Sequence, residues 1–371
     1  MRKLLKLIVI NLLILIGLIL IADFTALILF SIQDARAAKK KQQLREEGIT
    51  AITSLSAYKN VNWAREQLTE ELQQKFVYRS FVGWRKLPFE GRTIHVDSNG
   101  IRRTIQSEPG SDSAATVAFL GGSTMWGDNV HDSCTIPSYF SLLSKGKYKA
   151  VNFGEDSYCA YQEFLFLQMQ LLQGLQPKIV IAYDGVNNAP GMVLRPFSHR
   201  REEQIAYHID GADRKKPHPK FSDYYFKPTR ELLRIAHQKI FSKEDLQPIE
   251  TNTGTMSDSA AAIYLLDSWL AAKQLSNLYG ARFICVLQPN IYTGTPIISE
   301  LKNPVRINYS YYKLIPGLLQ TSKYESLKES FLDFTQLFNN RKGIYIDFCH
   351  LGPEGNQTIA QQLLLHLEKR N

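Results

Sequence analysis

The chain is short of the residues that announce the commoner kinds of site. Its 371 residues include only four cysteines, Cys134, Cys159, Cys285 and Cys349. None forms a CxxC pair, so neither a zinc site nor a disulfide framework is indicated, and the redox compartment stays open. A phosphate loop is missing as well. Gly122 to Gly127 has the G-x4-G spacing, but Asp128-Asn129 stand where Lys and Ser/Thr are required. The G-x-S-x-G nucleophile elbow fails because Met125 holds the place of its second glycine. His199, His208, His218 and His237 lack HExxH-type spacing, which argues against a metal among them. The net charge of +9 comes with no nucleic-acid motif, so no nucleic-acid partner is expected, and an anionic envelope surface or polymer suits the charge equally well. With 44% hydrophobic and 21% charged residues, disorder cannot dominate. The length allows one sizeable globular domain plus appendages.

Long apolar runs are scarce too, except at the start. Leu7 to Phe30 is almost wholly apolar, broken by Asn11 and Asp23. As a helix it would run roughly 36 Å, enough for a ~30 Å hydrocarbon core. A cleaved signal peptide is the rival, with Ala35-Arg36-Ala37 resembling a cleavage site, but the run exceeds the about 7 to 15 residues of a signal's apolar region. An uncleaved anchor is favoured. Arg2, Lys3 and Lys6 on one side face Arg36, Lys39, Lys40, Lys41 and Arg45 on the other, so the charge rule does not decide the orientation. The expected organisation is a tail over 1–6, an anchor over 7–30, a helical stalk over 31–75, and a domain over 76–371 with an insertion at 190–256. In the stalk, Ala64, Leu68, Leu72 and Phe76 recur every fourth position, as one face of an amphipathic helix does.

Within the domain, Thr93 to Arg102 alternates apolar and polar residues around Asn99-Gly100, a hairpin signal. From Thr116 onward short apolar runs alternate with helical patterns. That is the pattern of an α/β protein, a doubly wound, five-stranded parallel sheet with helices on both faces. Strands are expected near Thr116 to Leu120, Lys149 to Phe153, Lys178 to Tyr183, Arg282 to Leu287 and Gly343 to Ile346. Helices are expected near Ile136 to Leu143, Tyr161 to Leu172 and Ala260 to Leu278, with a last one beginning beside Pro353.

Phe119-Leu120-Gly121-Gly122-Ser123-Thr124 ends the first of these strands and puts Ser123 at its carboxyl end, where open α/β sheets bind ligands. Paired glycines let the backbone turn sharply and leave Ser123 and its own N–H unshielded, as a nucleophile beside an oxyanion requires. The same residues also make ordinary turns. Gly154 follows the second strand, Asn187 the third, and Asp347-Phe348-Cys349-His350 the fifth. Each has a plain structural explanation: a strand-ending glycine, a turn, and preparation for the last helix or a metal site. Their coincidence at one edge of the sheet is far more specific than any of them alone.

In these blocks the chain resembles the SGNH hydrolases, also called the GDSL family of esterases and lipases. The matching residues are Gly121-Gly122-Ser123-Thr124, Gly154, Gly185-Val186-Asn187 and Asp347-Phe348-Cys349-His350. A weaker likeness, around Pro88-Phe89 and Asn99-Gly100-Ile101-Arg102, is to membrane-anchored bacterial members associated with envelope polysaccharide. Two positions depart from the pattern. Gly122 replaces the Asp of the GDS(L) signature, and Asn188 replaces the Asp that usually follows the third-block Asn.

The resemblance implies a flavodoxin-like SGNH hydrolase fold and a serine esterase. Its triad would be Ser123, His350 and Asp347, and its oxyanion hole the N–H groups of Ser123 and Gly154 with the Asn187 side chain. No metal or other cofactor is implied. The insertion carries Arg195, His199, Arg200, Arg201, Arg214, Lys215, Lys216 and Lys220 with Tyr207, Tyr224 and Tyr225 interspersed. Such a surface suits a polar or anionic glycan, so the expected substrate is a short acyl ester, most of all acetyl, on an envelope carbohydrate. An O-acetyltransferase of an envelope or exopolysaccharide is the alternative, and a non-catalytic envelope scaffold that kept the fold is another. The likeness also favours a domain outside the cytoplasmic membrane.

Overall fold

The structure, a computed structural model, describes residues 1–107, 114–190, 256–302, 304 and 306–369. The insertion expected at 190–256 therefore lies almost wholly outside the described residues. The described chain falls into two compact units, Met1–Gly48 and the residues from Ile49 onward.

Helix α1 runs unbroken over Arg2–Thr53. It is the one described helix long and apolar enough to cross a membrane, by length and composition. The expected stalk thus begins as a continuation of the apolar helix.

In the second unit, α2 (Ala64–Glu71) buries Ala64 and Leu68. Leu72 is exposed and Phe76 begins a strand, so the apolar stripe lasts for two turns and not four. Strands β1 (Phe76–Arg79) and β2 (Gly83–Lys86) pair antiparallel, as do β3 (Phe89–Glu90) and β4 (His95–Val96). The turn expected at Asn99-Gly100 is present: Gly100 N donates to Asp97 O at 3.0 Å, and Val96 bridges to Arg102. Only Gly100 of that pair takes a positive φ, +77°, which a glycine adopts without strain.

The main sheet holds β5 (Ala115–Gly121), β6 (Tyr148–Asn152), β7 (Ile179–Asp184), β8 (Arg282–Leu287) and β9 (Phe331–Asp333), ordered β6-β5-β7-β8-β9 with every pair parallel. Numbered by first appearance, that is the doubly wound order 2-1-3-4-5. Short α3 (Ser123–Trp126) follows β5 directly. Around the sheet lie α4 (Ile136–Leu143), α5 (Ala160–Leu172), α6 (Asp258–Leu278), the short α7 (Ile315–Leu318) and α8 (Pro353–Glu368).

Alternation along the strands builds two cores. Ala118, Leu120, Val180, Ala182, Phe283 and Cys285 pack with Phe166 and Leu167 of α5 and Leu265 and Trp269 of α6. Val117, Phe119, Ile179, Ile181, Ile284 and Val286 face the other way, toward Ile136 and Phe140 of α4 and Ile359 and Leu363 of α8. The two-residue period of a strand thus feeds both faces at once. Local signals set the helix starts: the Thr135 hydroxyl accepts from Ser138 N, the Ser257 hydroxyl accepts from Ala260 N, and Pro353 opens α8.

One expected strand is wrong. Gly343 to Ile346 is not in the sheet; the fifth strand is Phe331–Asp333, beside β8. Ile344, Tyr345 and Ile346 are buried like strand residues, but their backbone is used in a tight return. Ile346 N donates to His350 O at 2.9 Å, Gly352 N donates to Ile344 O at 2.7 Å, and Tyr345 bridges to Leu351.

Candidate active site

Strand β5 delivers its last residues to a place where side chains do not fit. A Cβ on Gly121 would strike the Met125 side chain and approach Tyr183 O at 3.0 Å, and one on Gly122 would overlap Asn187 Nδ2. With both positions bare, the chain turns at once into α3 and Ser123 becomes its first residue. The Ser123 carbonyl accepts from Gly127 N at 2.8 Å and Asp128 N at 3.0 Å. Being first in the helix, the Ser123 N–H has no carbonyl one turn back to bond.

The return loop brings the other two groups. His350 Nε2 lies 2.8 Å from Ser123 Oγ, and His350 Nδ1 lies 2.7 Å from Asp347 Oδ2. The second carboxylate oxygen of Asp347 accepts from Cys349 N at 2.8 Å and His350 N at 2.7 Å. Burial pushes the Asp347 carboxyl up, but the His350 charge and these hydrogen bonds outweigh it and hold the group down at about 2. Burial pushes His350 down, yet the Asp347 carboxylate outweighs it and raises the imidazole well above its ordinary value. A carboxylate on Nδ1 fixes the tautomer that turns Nε2 to the serine as an acceptor.

Asn187 lies beside this pair. Its amide Nδ2 donates to Tyr158 O at 2.9 Å, which occupies one of its two N–H groups and leaves the other. Gly154 passes so close to α3 that a Cβ would meet Trp126 N and, at 2.9 Å, Met125 C. Its N–H donates to Asn152 Oδ1 at 3.0 Å, so it is already engaged and does not stand free as expected. The Asn152 amide in turn donates to Met125 O and Trp126 O, both at 3.1 Å. Of the three expected oxyanion donors, the Ser123 N–H and one Asn187 N–H thus remain available, while the Gly154 N–H is bound to Asn152.

Sequence reasoning missed a charged layer around α3. Arg102 is buried and caps the loop after the helix, donating to Gly127 O at 2.5 Å, Val130 O at 2.6 Å and Asp132 Oδ1 at 2.9 Å. Lys86, also buried, sits 3.4 Å from the centre of the Trp126 ring and 2.9 Å from Asp156 Oδ2. Asp128 stands between Lys86, at 3.8 Å, and His350 Nε2, also at 3.8 Å. Burial, then Asp156, pushes the Asp128 carboxyl well up, whereas for Asp156 the Lys86 charge outweighs burial and lowers it. The one signal available was the run Asn99-Gly100-Ile101-Arg102, whose turn aims Arg102 inward.

Among the described residues, Asp347, Cys349 and His350 bring metal-ligating atoms within 4.8 Å of one another. Burial pushes the Cys349 thiol up to about 11, and a thiol that keeps its proton is a poor ligand.

No protein-family model matches this chain, and no curated protein matches it. Solved structures do. The chain is similar to a GDSL-like lipase from Bacteroides thetaiotaomicron (14% identity, 69% of this chain and 89% of that one, TM-score 0.36). It is similar to a member of the lipolytic protein G-D-S-L family from Veillonella parvula (11% identity, 68% and 97%, TM-score 0.35). An acetyl xylan esterase, AlAXEase, is similar at 14% identity, over 67% and 98%, with a TM-score of 0.38.

Proposed function

We propose that this protein is a serine esterase. The observation that carries the proposal is the unbroken line Ser123 Oγ, His350 Nε2, His350 Nδ1, Asp347 Oδ2, with gaps of 2.8 Å and 2.7 Å. His350 takes the Ser123 proton as Oγ attacks the ester carbonyl, and Asp347 holds the ring and balances the imidazolium. The tetrahedral oxyanion is met by Ser123 N–H and the free N–H of Asn187 Nδ2. His350 then returns its proton to the departing alcohol, leaving an acyl-Ser123 ester. Water attacks that ester with His350 again as base, releasing the acid and restoring Ser123. All of the proton movement passes through one imidazole.

The finer proposal is a short acyl group, acetyl above all, on an envelope carbohydrate, with the enzyme held at the membrane by residues 7–30 and its domain outside the cytoplasm. The length and apolar character of α1 support the anchor. Labelling the full-length protein with a fluorophosphonate and assaying p-nitrophenyl esters from acetate to palmitate tests both parts. An adduct on Ser123 with acetate turned over fastest is expected. Well-folded protein without an adduct would refute the esterase, and preference for palmitate would refute the short acyl group.

A further inference from the structure

The segments that follow β8 and β9 line a half-open cavity of about 450 Å³, within the ~300–1,000 Å³ usual for small-molecule sites. No step of the acyl transfer uses it. One wall is aromatic. Tyr292, 38% exposed, stacks on Tyr309 with ring centroids 6.1 Å apart and planes at 21°, and Tyr309 meets Tyr312 edge to face at 5.6 Å. Tyr309 and Tyr312 are buried, so the partly exposed Tyr292 ring is braced from behind. The remaining lining is largely polar and includes Asn308, Asp333 and Thr335.

The cavity is fastened to the triad loop and to the turn that carries Asn187. Ile291 N, one residue before Tyr292, donates to Phe348 O at 3.1 Å, inside the Asp347–His350 loop. Tyr311 Oη donates to Gly185 O, and a Cβ on Gly185 would overlap Tyr312 Oη. The cavity therefore adjoins both segments that carry the proposed chemistry.

We infer that this cavity is a binding subsite for a pyranose ring of a carbohydrate, with Tyr292 as its platform; its place in the reaction rests on the esterase reading of Ser123. A pyranose offers an apolar C–H face and a rim of hydroxyls. The face suits a braced tyrosine ring, and the rim suits the amide of Asn308, the carboxylate of Asp333 and the hydroxyl of Thr335. A fatty acyl chain in the same space would strip those three groups of water and return no hydrogen bond. The acyl group stays at Ser123, while the sugar that bears it, or the next residue of the polymer, occupies the cavity.

The test uses detergent-solubilised full-length protein with Ser123→Ala, so that nothing turns over. Xylohexaose, cellohexaose and chitohexaose are titrated by calorimetry. At least one hexaose is expected to bind, and adding Tyr292→Ala should weaken it roughly 3- to 10-fold, the worth of one aromatic contact. Tyr292 is exposed enough that its loss leaves the cores intact, which circular dichroism checks. The unmutated protein is assayed in parallel on p-nitrophenyl acetate. Ester hydrolysis without binding of any hexaose, or binding indifferent to Tyr292→Ala, overturns the subsite and leaves the esterase standing. Tyr292-dependent binding in a protein that hydrolyses no ester overturns the esterase and keeps the sugar site.

Discussion

Gly122→Ala separates activity from stability. The backbone at Gly122, φ −78° and ψ −155°, is open to alanine, so the effect is one of space. The new methyl would overlap Asn187 Nδ2 and lie 3.3 Å from Tyr158 O, so the Asn187 amide must swing away and release Tyr158 O. Losing that hydrogen bond costs about 0.5–1.5 kcal/mol. Stiffening the unfolded chain returns about 0.4–1 kcal/mol. The net is within about 1 kcal/mol of zero, and Tm should move by no more than about 4 °C. Activity should suffer far more, because the displaced amide is the proposed oxyanion donor: a loss of roughly 10² to 10³ in kcat with KM little changed. Steady-state hydrolysis of p-nitrophenyl acetate beside a thermal melt measures both. Since the alanine acts by moving Asn187, Asn187→Ala should lower kcat by a similar factor, and the double variant should be no worse than either single one. A Gly122→Ala enzyme within about threefold of normal kcat refutes the reasoning, as does a double variant that loses the product of the two single losses.

Ser123→Ala and His350→Ala should each remove up to about 10⁶ in kcat, and the pair together little more, because nucleophile and base act as a unit; multiplicative loss in the double variant would contradict the assignment. The general base must be neutral to accept a proton, and His350 is raised above its ordinary 6.5, so the rate should climb with pH to a midpoint above 6.5. Asp347→Asn removes the largest raising influence and should shift that midpoint down; a wild-type midpoint at or below 6.5 refutes the coupling. Because the Asp347 carboxyl is held near 2, below its usual 3.8, its contribution to stability is present above 3.8 and fades as pH falls through 2. Protease added to intact spheroplasts should remove the domain, whereas full protection would place it in the cytosol.

Four of the five sheet strands were legible because each is a short apolar run whose alternate residues enter different cores, and the helices between them were legible by their stripes. The fifth was misread for a physical reason. Ile344 and Ile346 are buried from a loop, while Phe331-Leu332-Asp333 is only three residues long and half-exposed, too brief for periodicity to register. At the site, Ser123 and Asn187 were expected from true strand ends, whereas Asp347 and His350 were expected from the Asp347-Phe348-Cys349-His350 spacing after a segment that is in fact a return loop and not a strand of the sheet. Gly154 was assigned a free N–H because nothing in its sequence foretells that the Asn152 side chain folds back onto it. Lys86 and Arg102 look like surface charges in the sequence; only the pairing of β3 with β4 and the turn at Gly100 carry Arg102 under α3.

The closed return around the acid and the base has a consequence for how the site fails. Tyr345 is bridged to Leu351, and Ile346 N to His350 O, so Asp347 and His350 ride in one cassette whose internal geometry owes little to the sheet. The spacing to Ser123 is set by distant parts of the chain, and the loop itself has a tie to the segment after β8, from Ile291 N to Phe348 O at 3.1 Å. Thermal breathing of the sheet therefore parts the nucleophile from an intact dyad; it does not scatter three groups. The low-field proton resonance between His350 Nδ1 and Asp347 should outlast Ser–His contact on heating and persist in Ser123→Ala, and its early loss would show that the dyad depends on the sheet after all.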